Sequence, residues 1–436
     1  MERKYRMDER REQMTLWHPW NPTTGETHRP LYDRGAGYRL YDASGKEYLD
    51  ATSGALNAIC GHGRERMAAV AATQMQRLEH VDLGGADHRP ALDLADALDA
   101  ILPATGPWHT SFVNSGSEAT ELAIKIAHDY WRNVGEPRTA LVSFADGYHG
   151  TTLLAKSMTE LPGNTADQTI DTRITRIPFP STGAALRESG GPELLQSFRS
   201  ALESTPTAAV LVEAVLNVGG GVVLPRGFLR ELRALCDESG TVLILDEVFC
   251  GLGRTGRMFG FEHDEVTPDI VTISKGLGAG FIPIAAVSAG GRVYDSYASA
   301  TPPATLQYGH TTGGHAVASA VALEVLRTIT TEHLVDNAAE RGRQLLAQLA
   351  PLNDLNGVHD VRGLGLVVTV EFDTETLAED VERRAWERGL IVRRQRQHVM
   401  AIPPLTIDRA GIDELTDALV RAVQDTISSA HALTDG

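Results

Sequence analysis

Cys60, Cys236 and Cys250 are the only cysteines among 436 residues, too few and too widely spaced to write a disulfide framework or a Cys-x-x-Cys metal site. A reducing cytoplasm is the matching compartment. Long apolar runs are also missing: the uncharged stretch from Gly276 up to Arg292 is broken by glycines and Pro283 and falls short of a membrane span. Met1–Gln13 is densely charged and lacks the apolar centre of a secretory signal. Positive charge is in deficit, with 40 Lys and Arg against 57 Asp and Glu, a formal net charge of -17. That balance disfavours nucleic acid or an anionic membrane as the main partner. Lysine itself is scarce, at positions 4, 46, 125, 156 and 275 alone, so arginine supplies the other 35 basic residues and is the default surface cation. The histidines show no compact metal spacing, and GxxxxGK[ST], HExxH and GxSxG do not occur, so no metal site is assigned.

What remains is an ordinary globular composition, 42% hydrophobic and 22% charged, without repeats or low-complexity linkers. Tyr38–Tyr41, the turn Asp42–Gly45 and Glu47–Leu49 read as a small meander, and residues 64–102 as two helices. Then come short, wholly apolar runs: Ala140–Phe144, Ala208–Glu213, Val242–Leu245, Ile270–Ile273 and Ile282–Ser288. Separated by helical segments such as Arg226–Glu238, they imply an α/β domain whose mostly parallel central sheet is flanked by helices. After residue 315 the chain is helix-rich, with strand candidates Gly365–Phe372 and Leu390–Arg393 that suggest a smaller α+β domain.

Three strand ends carry candidate chemistry. Asn114-Ser115-Gly116-Ser117-Glu118 follows a strand and opens a helix whose free N–H groups, hydroxyls and positive dipole end suit a phosphate. The same residues also write a plain capping box from Ser115 to Glu118. Val242–Leu245 ends in Asp246-Glu247, where an acid could hold a protonated heteroaromatic nitrogen or simply face solvent. Asp269–Ser274 ends in Lys275, a rare lysine whose amine can form a Schiff base, or which could snorkel to the surface. Gly251-Leu252-Gly253-Arg254-Thr255-Gly256 matches GxGxxG, but residues 257–268 hold Gly260 and Pro268 and no helical period, so no dinucleotide site follows.

Taken in order, SGSEA at 115–119, GYHG at 147–150, LDEVFCGLGRTG at 245–256, SKG at 274–276 and GHTTGGH at 309–315 resemble the class III, or ω-type, aminotransferases. These are pyridoxal 5'-phosphate enzymes of fold type I. The resemblance implies that Lys275 forms the internal aldimine and carries the proton between substrate Cα and cofactor C4′. It implies that Asp246 pairs with the pyridinium nitrogen, that Val248 and Tyr148 cover the two ring faces, and that His149 supports the ring from beside it. Ser115, Gly116 and Ser117 would cradle the phosphate, and Thr311 would donate to it from a neighbouring subunit, which implies a homodimer with shared active sites. Glu213 would sit near the cofactor oxygen or gate a substrate arginine, although Ala214-Val215-Leu216-Asn217 replaces the family's proline and a glycine there.

On the substrate side, Arg393, in Leu390–His398 ahead of Pro403-Pro404-Leu405, matches the arginine that takes a keto-acid carboxylate and swings aside for an uncharged amine. Arg394 and Arg396 read as surface charge. Trp17-His18-Pro19-Trp20 matches a segment roofing the pocket, and Ala55-Leu56 stands where relatives often place a tryptophan, so Trp20 and Leu56 become substrate-side candidates. The resemblance divides the chain into an N-terminal segment at 1–63, a cofactor domain at 64–315 and a C-terminal small domain at 316–436. The function it implies is ping-pong transfer of an amino group from an amine or amino acid to a ketone, aldehyde or keto acid, in the cytoplasm. Alternatives on the same scaffold are a racemase, aminomutase or decarboxylase, or a non-catalytic protein that binds the cofactor.

Overall fold

Apolar runs without polar alternation need cover on both faces. In the computed structural model, which describes residues 16–20, 30–159, 173–179, 186 and 191–434, these runs form one seven-stranded sheet. Met1–Gln13 lies outside the described residues. The sheet order is Trp108–Val113, Ala285–Gly290, Ile270–Ile273, Val242–Asp246, Thr207–Val212, Ala140–Phe144 and Ile174–Ile177. The last five are mutually parallel, and Ala285–Gly290 runs antiparallel to both its neighbours. The expected strand Ile282–Ser288 thus begins and ends later, at Ala285 and Gly290. An alanine-rich apolar run carries no mark of direction, so its reversal could not be read beforehand.

Alternation along the strands divides two cores. Val242, Ile244, Leu211 and Ile270 face one cluster, which includes Leu122, Ala123 and Ile126 of the Gly116–Asn133 helix. Leu243, Leu245, Val212 and Val271 face the other, shared with Leu229 and Leu232 of the Phe228–Ser239 helix. That helix stops at Gly240, which adopts φ 72°, a left-handed conformation open to glycine.

Two four-stranded sheets accompany this body, besides a short ribbon of Val215–Leu216 and Val222–Val223. Tyr32–Ala36, Arg39–Asp42 and Glu47–Asp50 form the expected meander, and Leu390–Ile391 joins it in parallel, so both ends of the chain contribute to one sheet. The other is antiparallel, ordered Val358–Gly363, Val368–Phe372, His398–Ala401 and Arg393–Gln395. The expected strand Gly365–Phe372 begins only at Val368, because Gly365 sits at φ 56° against the chain at Thr255, where a Cβ would come within 2.3 Å of backbone. Among the described residues no helix is long and apolar enough to cross a membrane, and no group of His, Cys, Asp and Glu could hold a metal ion.

One arginine joins the layers. Arg254 is 1% exposed and donates to the carbonyls of Leu366, at 3.1 Å, and Pro403, at 2.6 Å, and to Ser53 Oγ, at 3.1 Å. Burial lowers its pKa to about 9. Arg254→Ala leaves buried acceptors unmet at about 1–3 kcal/mol each, so we expect about 3 kcal/mol or more of lost stability in urea unfolding. A loss under about 1 kcal/mol would show that the segments hold together without it.

Candidate active site

Neighbouring parallel strands end at one edge of a sheet, and the crevice beyond that edge is where open α/β sheets hold ligands. Here Leu245 lies opposite Val212 and Asp246 opposite Thr272. Glu213 and Asp246 therefore leave adjacent strands at one level, and Lys275 follows the end of the third strand, three residues beyond Thr272. Ala285 pairs with Val113 and Ala286 with Ile273, which brings the start of the Gly116–Asn133 helix to the same edge. The turn after Ala140–Phe144 adds Tyr148 and His149.

Asp246 is 3% exposed. Its Oδ2 lies 2.7 Å from His149 Nδ1, and its Oδ1 accepts from the Val248 N–H at 3.0 Å and from Thr272 Oγ1 at 3.1 Å. Burial works against a charged His149, but the bond to Asp246 and its charge outweigh that, and the imidazole pKa is raised. The adjacent Glu247 serves the fold instead: it accepts from the Gly260 N–H at 2.8 Å and the Phe261 N–H at 3.0 Å, and burial pushes its carboxyl up to about 8. Glu213 is buried and accepts from the Tyr148 N–H at 2.9 Å and the Asn217 N–H at 3.4 Å. Burial raises its pKa, opposed by His149 and Lys275.

Lys275 stands at φ 34°, in a region a side chain seldom adopts, and opens a short 3-10 turn over Lys275–Leu277. Its Nζ is 6.0 Å from the centre of the Phe249 ring. Desolvation lowers the ammonium pKa despite the pull of Asp246 and Glu213, and Arg393 lowers it further. An amine so placed loses its proton more readily than an exposed lysine.

Ser115 caps the helix in a full capping box, its Oγ accepting from the Glu118 N–H at 3.3 Å while the Glu118 carboxylate takes the N–H groups of Asn114 and Ser115. The N–H groups of Gly116 and Ser117 have no acceptor of this kind among the described residues. A Cβ on Gly116 would meet Val248 Cγ1 at 3.0 Å and Ser274 Cβ at 3.6 Å, so glycine lets the helix start close on both other strand-end segments. Ser117 Oγ accepts from the Thr151 N–H at 3.0 Å. The Gly251–Gly256 segment leads into the 3-10 turn Gly260–Asp264, with no α-helix where a dinucleotide would need one.

Arg393 reaches this cluster from the antiparallel small sheet, close enough to Tyr148 and Lys275 for their charges to interact. Desolvation lowers its own pKa. Burial raises that of Tyr148. Arg394 pairs with Glu382 at 2.9 Å and Arg396 is exposed, in keeping with surface roles. Leu56 is 3% exposed and belongs to the main hydrophobic core, its backbone turned inward at φ 72°, and Trp20 is 81% exposed. Thr311 is exposed, while its neighbour Thr312 donates to Asn114 Oδ1 at 3.1 Å. The sequence reading missed Thr272, which the strand register sets beside Asp246, and Gln395, which alternation puts on the face of Arg393.

The family model described as Aminotransferase class-III matches residues 22–423. An adenosylmethionine-8-amino-7-oxononanoate aminotransferase from Anoxybacillus flavithermus is 31% identical over 435 residues, 94% of this chain and 94% of its own. A succinylornithine transaminase from Salmonella typhimurium is 36% identical over 364 residues, covering 82% and 83%. The crystal structure of the omega transaminase from Pseudomonas jessenii in complex with PMP superposes with TM-score 0.88 at 31% identity, over 94% of this chain and 97% of that one.

The His149–Asp246 pair makes stability depend on pH. Because the folded pKa of His149 is raised, the pair's contribution is full below the free-histidine value of about 6.5 and is lost as pH rises through the folded value. Titration of the ligand-free protein by NMR should place His149 above about 6.5 and, with burial opposed by Glu213 alone in Asp246→Asn, lower than in wild type. An unchanged value in the variant would remove Asp246 as the cause.

Proposed function

The chain belongs to the class III aminotransferases, and from that premise we propose that Lys275, Asp246 and the residues gathered around them are the machinery of its reaction. The protein is a pyridoxal-phosphate-dependent transaminase of fold type I, moving an amino group from an amine or amino acid to a carbonyl acceptor. The convergence of Asp246 and Lys275 on adjacent strand ends is the observation that carries the assignment of roles.

The residues fit the cofactor. Gly116 and Ser117 offer N–H donors at a helix N-terminus, which suits a phosphate, and Ser115 contributes by capping that helix. Gly116 closes the helix start onto Val248, the residue we assign to one ring face, with Tyr148 on the other. Asp246 is a buried acid oriented by His149 and Thr272, as a partner for a protonated ring nitrogen must be. Pyridoxal phosphate supplies an electron-accepting ring that stabilises the carbanion formed at the substrate's Cα.

Lys275 does the rest. Its lowered pKa leaves a larger share of neutral amine, which acts first as the nucleophile and then as the base that takes the proton from Cα and returns it at C4′. Asp246 stays close enough to favour the protonated ring nitrogen, and Glu213 holds the Tyr148 turn in place through its N–H. Arg393 receives a substrate carboxylate, and among the described residues it has no acid of its own to satisfy first. The relatives differ in the substrates their names give, which supports transamination without singling out one donor. We assign the protein to the cytoplasm and to a homodimer, supported by Thr311, whose exposed side chain is available to a second copy's phosphate site.

The test is the visible absorption of the purified protein supplied with pyridoxal phosphate. Wild type should show a cofactor band that amino donors bleach and keto acids restore. Lys275→Ala should lack that response, with transamination down by about 10⁴-fold or more. A variant that retains the donor-dependent change would overturn the role of Lys275.

A further inference from the structure

Among the described residues several arginines that leave the surface are met by acids, although Arg254 is met by carbonyls and a hydroxyl. Arg362, 4% exposed, is paired with Asp360 and Glu371, and Arg233 with Asp269. Arg393 is half-buried, yet among the described residues it forms no ion pair with a carboxylate. Its partner is a neutral amide. Gln395 lies two residues on along the same strand, hence on the same face. With its amide oxygen turned to the guanidinium, Gln395 accepts from Arg393 Nη2 at 2.7 Å and Nε at 3.3 Å. Those two donors form one of the guanidinium's edges that grip a carboxylate bidentately.

Gln395 is presented from a fixed turn. Its backbone carbonyl lies 3.0 Å from His398 Nδ1, and His398 Nε2 lies 3.6 Å from Glu371, the acid that Arg362 holds. Arg362 also donates to the Gly220 carbonyl at 2.6 Å, and Gly220 has no Cβ because one would sit 2.7 Å from the His398 ring. The backbone of Gln395 is thus held through this network, and its side-chain amide reaches Arg393 from that fixed point.

We propose that Gln395 is a positioning residue that sets the choice between carboxylate-bearing and uncharged substrates, by serving as the internal acceptor for Arg393 whenever no carboxylate is bound. This rests on the reading of Arg393 as the carboxylate receiver. A carboxylate is the stronger acceptor and displaces the amide. With an uncharged amine in the site, the amide keeps the guanidinium satisfied and spares an unpaired charge beside an apolar group.

The test compares wild type, Gln395→Leu, Gln395→Glu and Arg393→Met, each loaded with pyridoxal phosphate and checked for cooperative thermal unfolding. Propionate affinity is measured by calorimetry, and the kcat/KM ratio for alanine over sec-butylamine by the bleaching of the cofactor band. Gln395→Leu should bind propionate about tenfold more tightly and raise the ratio by a similar factor, the effect of removing one competing bond to a charged group. Gln395→Glu, an internal carboxylate, should shift both about tenfold the other way. Arg393→Met should lose propionate binding. If Arg393→Met keeps it, the carboxylate reading of Arg393 falls and this proposal with it. If Arg393→Met loses it but Gln395→Leu binds propionate no better than wild type, the role of Gln395 alone is overturned. A loss of propionate binding in Gln395→Leu, showing that the amide helps rather than competes, would also overturn it.

Discussion

A carboxylate closed off from water at the end of a central strand has to be held by hydrogen bonds. Asp246 is held by three, from His149, the Val248 N–H and Thr272, and each partner arrives from a different part of the chain. Thr272 is there because two parallel strands are in register, His149 because the turn after the next strand but one folds over the sheet edge, and Val248 because the chain bends sharply after Asp246. Moving any of these elements by one residue would strand the acid. The site's geometry is therefore written into the sheet register, and the acid we propose as the cofactor's partner is oriented by the protein alone.

Around that anchor the charges act on one another at short range. Glu213 and Asp246 favour a protonated Lys275, while burial and Arg393 oppose it, and the balance falls toward the neutral amine. Burial raises Glu213, which His149 and Lys275 draw back down. Glu247 shows how sharply a one-residue step along the chain changes a carboxyl's task, since its oxygens close the Gly260–Phe261 loop and contribute nothing to the site's donors. Glycine at position 116 then allows the helix start to which we assign the phosphate to approach Val248 and Ser274 closely, so the segments assigned to phosphate, ring and lysine meet in one place.

Much of this was legible in the sequence because strand-end chemistry leaves a local signature: an apolar run, a turn and an acid, lysine or serine. Ala140–Phe144 and Ile270–Ile273 are placed to the residue, Asp246 and Lys275 are named from such ends, and Glu213 is named from the family resemblance. What escaped depends on partners distant in sequence. The reversed direction of Ala285–Gly290 is set by its neighbours, and the burial of Leu56 by a left-handed turn at an ordinary residue. Gln395, in an arginine-rich run, reads as surface until strand alternation puts it beside Arg393, and Thr272 reads as one more strand residue until register puts it beside Asp246.

The most direct measurement of the central claim is a crystal structure of the protein grown with pyridoxal phosphate. The account predicts continuous density from Lys275 Nζ to the cofactor, the ring nitrogen within hydrogen-bond distance of Asp246, and the phosphate on the N–H groups of Gly116 and Ser117. A cofactor bound with its ring nitrogen away from Asp246, or joined to any residue other than Lys275, would contradict it.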